Sequence, residues 1–153
     1  MKAVLLAALL AFGVAGGNTR PAAADEITFD AVPATVGSCA MDLEVAATAR
    51  QRSLGLMHRD SLPRDRGMVF AMPNRNAPGF WMKNTLIDLD IAFLDEGWRV
   101  MAIEQMKALD LSITRGPRGT AYALEANLGV LADCNLRIGD VLTQPPDLSR
   151  VIP

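Results

Sequence analysis

The run Leu86-Ile87-Asp88-Leu89-Asp90-Ile91-Ala92-Phe93-Leu94, followed by Asp95-Glu96-Gly97 and then by Trp98 to Met106, sets the fold class. Ile87, Leu89, Ile91 and Phe93 recur every second residue, and Asp88 and Asp90 fall between them. A period of two describes a strand with one face buried and one face wet. Asp-Glu-Gly is turn chemistry of the right length for a hairpin, so 98–106 is read as the return strand.

The same grammar extends on both sides. Met41, Leu43 and Val45 alternate with Asp42 and Glu44, which predicts a half-buried strand over 41–47. Thr48 is placed to cap a helix of about two turns over 49–56, which Pro63 keeps from extending further. Gly67 to Met72 is apolar on both faces and reads as a buried strand, and Pro73 to Gly79 as a loop. Short strands are expected at 27–29, with Pro33 and Gly37 as breaks, at Phe80 to Lys83, at Tyr122 to Ala126, and at Val141-Leu142 after a Gly139-Asp140 turn. Residues 116–119 read as a loop and 128–133 as one helical turn. Many short strands and one or two short helices predict an all-β fold, a compact sandwich, jelly roll or barrel.

The N-terminus has a different logic. Lys2 is the only charge before Arg20, residues 3–14 are apolar apart from Gly13, and Ala22-Ala23-Ala24 supplies a small-residue cleavage site. That order marks residues 1–24 as a secretory signal peptide, and the apolar run is too short to span a bilayer. Val36-Gly37-Ser38-Cys39 has the look of a lipid-attachment box, but Arg20, Asp25, Glu26 and Asp30 separate it from the apolar run, so no membrane anchor is expected. The remainder, 25–153, is expected to form a single β domain with a core at about 41–142 and a proline-rich tail at 144–153, exported to the periplasm or beyond.

Removing the leader takes away Lys2 and Arg20, leaving thirteen basic against seventeen acidic residues, a net charge of −4. A nucleic-acid partner would ask for a basic surplus. The arginines within 50–66 do not supply one, because Asp60 and Asp65 interleave with them. Cys39 and Cys134 are far apart and outside any C-x-x-C motif. In an oxidising compartment they are expected to form a disulfide.

Several motifs in order resemble the domain-of-unknown-function 192 family. They are Arg52-Ser53-Leu54-Gly55-Leu56-Met57-His58-Arg59 with Leu62, Gly67-Met68-Val69-Phe70, Phe80-Trp81-Met82-Lys83-Asn84-Thr85, Leu89-Asp90-Ile91-Ala92-Phe93, Leu124-Glu125 and Gly139-Asp140. The resemblance implies a compact β domain, often exported, and no activity. The two cysteines are not part of that pattern.

Within these motifs Arg52 and Arg59 suit bidentate contacts to an anionic or polyhydroxylated ligand. They equally suit carboxylates of the fold such as Glu125 or Asp90. Trp81 and Lys83, two apart in an expected strand, share a face; with Asn84 they would make a platform for a sugar ring. Alternatively Trp81 is a core residue with Lys83 stacked on it. Asp90 and Glu125 are the acids that would serve a hydrolase, if they converge on one cleft. His58 is the only histidine and has no evident nucleophile partner, and no calcium loop, phosphate loop or metal motif occurs. The methionines at 57, 68, 72, 82 and 101 could serve copper but sit at packing positions. The function expected is non-catalytic binding of a small polar or carbohydrate-like ligand through Arg52, Arg59, Trp81, Lys83 and Asn84, without cofactor or metal. The alternatives are the Asp90/Glu125 hydrolase and a protein-interaction or envelope-assembly module.

Overall fold

The computed structural model describes residues 26–149. The expected signal peptide, 1–24, and the last four residues lie outside them. The described chain is all-β, with two short helices. Six strands form one sheet: β1 (Ala31–Val36), β2 (Cys39–Ala46), β3 (Arg66–Ala71), β5 (Leu89–Leu94), β6 (Val100–Met106) and β8 (Tyr122–Asn127). Their order across the sheet is β1-β2-β3-β8-β5-β6. Two-residue strands β4 (Gly79–Phe80) and β7 (Thr114–Arg115) form a second, small ladder. Every neighbouring pair is antiparallel except β2 and β3, which run parallel. Helix α1 (Ala49–Leu54) lies in the crossover between them, and α2 (Val130–Asp133) follows β8.

The hairpin forms where expected, with a register shift between Phe93 and Leu94. Its first strand is shorter and drier than the alternation predicts. β5 begins at Leu89, and all six of its residues are buried. Leu89, Ile91 and Phe93 face one apolar cluster with Met68 and Phe70. Ala92 and Leu94 face another with Met41, Leu43, Val45, Leu124 and Leu131. The sheet is therefore covered on both sides. The Phe80 ring of β4 packs edge-on against Phe70 and Phe93, at centroid distances of 5.2 and 5.8 Å, which lays the small ladder over the first face. Helix α2 lies on the second.

The first strand is not 27–29 but 31–36, and Pro33 lies inside it rather than breaking it. β1 is an edge strand. The Thr35 amide points away from β2, donating to the Gln144 carbonyl at 2.8 Å, so the nitrogen of Pro33, two residues earlier, also points outward and costs the ladder no bond. The strand expected at 80–83 stops at Phe80, and Asn84 takes a positive φ of 57° in the turn that follows.

Cys39 and Cys134 form a disulfide, with Cα atoms 5.3 Å apart, joining the start of β2 to the end of α2. Beside it Ser38 donates to the Cys134 carbonyl from both its amide, at 2.7 Å, and its hydroxyl, at 3.0 Å. The buried Met68 and Met82 are packing residues. No helix of the described residues is long and apolar enough to cross a membrane.

Candidate functional site

Helix α1 is held by a capping box. The Thr48 side chain accepts from the Gln51 amide, and the Gln51 side chain accepts from the Thr48 amide at 2.9 Å. The helix ends at Gly55, whose φ of 48° suits glycine. A Cβ there would sit 3.3 Å from the tip of the Phe70 ring. Opposite α1 runs the segment Gly79 to Thr85, tied back by the His58 amide donating to the Asn84 carbonyl at 2.8 Å. Between helix and segment opens a cleft of about 380 Å³. Phe70, Phe80 and Trp81 give it aromatic walls, and Arg52, Thr85 and Glu125 line it as well.

Glu125 is the chemically unusual member. It stands on β8 between Met68 of β3 and Ile91 of β5, both fully buried apolar residues. It is 6 % exposed, and burial pushes its carboxyl up to about 8, so near neutral pH it is mostly the uncharged acid. Among the described residues four polar side chains are buried: Thr85, Asp90, Thr120 and Glu125. Asp90 accepts from the Leu131 amide at 3.2 Å, and Thr120 donates to the Pro117 carbonyl at 2.8 Å. Among the described residues the side chains of Thr85 and Glu125 make no hydrogen bond, and both line the cleft. Among the described residues no fully enclosed side-chain polar atom lacks a partner, so these two groups reach open space rather than packed protein.

The residues singled out by sequence separate into two groups. Arg52 and Trp81 are on the cleft wall. Trp81 is 46 % exposed and so is not a core residue; the Lys83 ammonium lies 5.1 Å from its ring centroid, outside the cleft lining. That contact comes from the turn at 83–84, not from two positions of one strand. Asn84 and Arg59 are also absent from the lining. Arg59 makes a bidentate pair with Glu44, at 2.7 and 2.6 Å, under the Phe29 ring. Arg52 donates to the main-chain carbonyls of Ala47 and Ala71. Neither arginine caps Glu125 or Asp90.

The acid pair of the hydrolase reading does not form. Ile91 and Glu125 are directly paired and share a face, so Asp90, one residue along, points to the other face, where it meets α2. The condition that reading set, convergence on one cleft, is not met, because the alternation that puts Asp90 on one face of β5 does not reveal which face of the sheet Glu125 takes. Thr85 closes the Phe80 to Thr85 motif, but a hydroxyl in a coil segment carries no periodic signal that would mark it as a site residue. Among the described residues no group of three or more His, Cys, Asp or Glu side chains is placed to hold a metal.

An all-β sheet with one open, aromatic-walled cleft is the class these features define. The family model of domain of unknown function 192, described as "Uncharacterized ACR", matches residues 32–144. The chain belongs to this family. It is similar to a protein of unknown function from Novosphingobium aromaticivorans DSM 12444, at 32% identity, covering 74% of this chain and 83% of that one with a TM-score of 0.67. It is also similar to a protein from Sinorhizobium meliloti 1021 described as a candidate transcription regulator, at 28% identity, covering 78% and 97% with a TM-score of 0.71. No curated protein matches.

Proposed function

We propose that the protein is a non-catalytic, exported binding domain that takes a small polar ligand in the cleft between α1 and residues 79–85. The observation that carries this reading is the placement of the two buried side chains without partners. Both open into one cleft whose walls are aromatic, the usual make-up of a small-molecule site: apolar walls and a few polar anchors. Trp81 would cover an apolar face of the ligand, and Thr85, Glu125 and Arg52 would meet its polar groups. The disulfide and the leader-like N-terminus support export. The acidic charge balance gives no phosphate-binding surplus of the kind a DNA-binding regulator needs.

A thermal-shift screen of the oxidised protein against sugars, envelope fragments and small anions tests this reading. A ligand that binds only the folded state raises Tm in a saturable way. The expected result is a shift that Trp81→Ala abolishes while the variant still melts cooperatively. Silence across the panel removes the reading. A second reading, an interaction module, draws on Leu86, Leu109, Leu111 and Ile113, which are exposed on segments that run side by side next to Trp81. It would gain if the screen is silent and Leu111→Lys releases a co-purifying protein.

A further inference from the structure

The charge balance of the cleft narrows the ligand further, on the assumption that the cleft is a binding site. Arg52 is a permanent cation in its lining, and Glu125 is the only acid there. The side chains beside Glu125 on the neighbouring strands, Met68 and Ile91, are apolar, and Thr85 on the facing segment is neutral. No cation neutralises the carboxyl, and burial alone holds it in the protonated form up to about pH 8. A protonated carboxyl is a hydrogen-bond donor. The cleft thus presents one O–H donor on its floor, a hydroxyl at its side and a positive charge on its wall. Lys83 adds a second positive charge just outside, against Trp81. An ammonium ligand would meet two cations and an acid that must first ionise in an apolar setting, which costs free energy. A carboxylate would meet donors and a compensating charge.

We propose that the cleft takes a small carboxylate with an apolar body, whose oxygen accepts a hydrogen bond from the Glu125 carboxyl while Arg52 balances its charge and the aromatic walls cover its body. No bond is made or broken; the Glu125 proton stays on its own oxygen.

The test is calorimetric titration of the protein with three probes of one shape: benzoate, benzyl alcohol and benzylammonium. At pH 6 benzoate should bind at least tenfold tighter than the other two. Its affinity should fall about tenfold per pH unit above about 8, as Glu125 loses the donated proton. Glu125→Gln keeps an N–H donor without a titrating group and should hold the affinity level from pH 6 to 9.5. Glu125→Leu, checked for cooperative melting, should lose at least tenfold at pH 6. Tighter binding of the alcohol or the ammonium, or a flat wild-type profile, overturns the carboxylate assignment and leaves the cleft reading intact. Silence of all three probes overturns it as well; if the broad Tm screen is also silent, the cleft reading falls with it.

Discussion

Glu125 carries a stability signature separate from any ligand. Its carboxyl titrates near 4.5 when exposed and near 8 in the fold, so the folded state holds its proton where the unfolded chain has released it. The sign follows: the contribution is fully present below about pH 4.5 and is lost as pH rises towards 8. At about 1.4 kcal/mol per pH unit, the full span amounts to about 5 kcal/mol, an upper figure because the group can relax into the cleft. Glu125→Gln should therefore flatten the fall in chemically measured stability between pH 5 and 8 and be more stable than wild type at pH 8. A wild-type curve with no such fall would refute the burial argument. Asp90 lies on the other face of the sheet. It accepts from the Leu131 amide, and Asp90→Ala should cost about 1–3 kcal/mol in urea unfolding by leaving a buried N–H unmet. Glu125 stands out in the sequence as an acid in an otherwise apolar strand, whereas Asp90 fits an alternating pattern as a wet-face residue. Which face each occupies is a matter of register between β5 and β8, and register is a property of the pair rather than of either strand.

Among the elements, α1 matters most, because it is one wall of the cleft and only six residues long. A helix this short draws little stability from its own hydrogen bonds. Thr48→Ala should cost about 1 kcal/mol by removing the cap and should loosen ligand binding at the same time. Gly55→Ala should destabilise on two counts: its positive φ and the Phe70 ring tip lying 3.3 Å from the added methyl. Restoration of stability when Phe70 is shortened to Leu would isolate the second count. The cap and the helix are legible in Thr48, β2 in its alternation, β3 and β8 in their apolar runs, and β6 in the turn that precedes it. The segment 79–85 was not. Its four residues after Gly79 look like a strand by composition, but only Gly79 and Phe80 find partners, in β7, whose two residues carry no pattern of their own. Pro33 misled in the other direction. Proline opposes strands in general, yet at an edge with its nitrogen outward it is harmless.

For the whole molecule the disulfide is the main covalent restraint, spanning 95 positions. A loop of that size corresponds to about 4–5 kcal/mol of chain entropy removed from the unfolded state, in a model that ascribes the effect to entropy. Denatured, unreduced protein should titrate no free thiol, and the Cys39→Ala/Cys134→Ala pair should unfold at markedly lower urea. Gly37 reinforces the same junction. A Cβ there would fall 2.1 Å from the Cys134 carbonyl oxygen, so Gly37→Ala should weaken the contact between the β1–β2 turn and α2 even with the disulfide intact. The pairing was expected from compartment and spacing; the glycine beneath it could be recognised only once its neighbour was placed.

The position of β8 sets the order in which this chain can become a protein. It follows the other five strands of the large sheet in sequence, yet it sits between β3 and β5. Until it arrives, β1-β2-β3 and β5-β6 are two separate ribbons, each with a bare central edge of unmet amides and carbonyls. A chain emerging from its N-terminus can assemble either ribbon but cannot join them, and a fragment ending before Tyr122 would carry both bare edges into solution. Folding of this topology is governed by distant contacts and is slow for its length. Residues 122–127 must therefore be available to the fold before either ribbon's central edge is kept from pairing with a neighbour's.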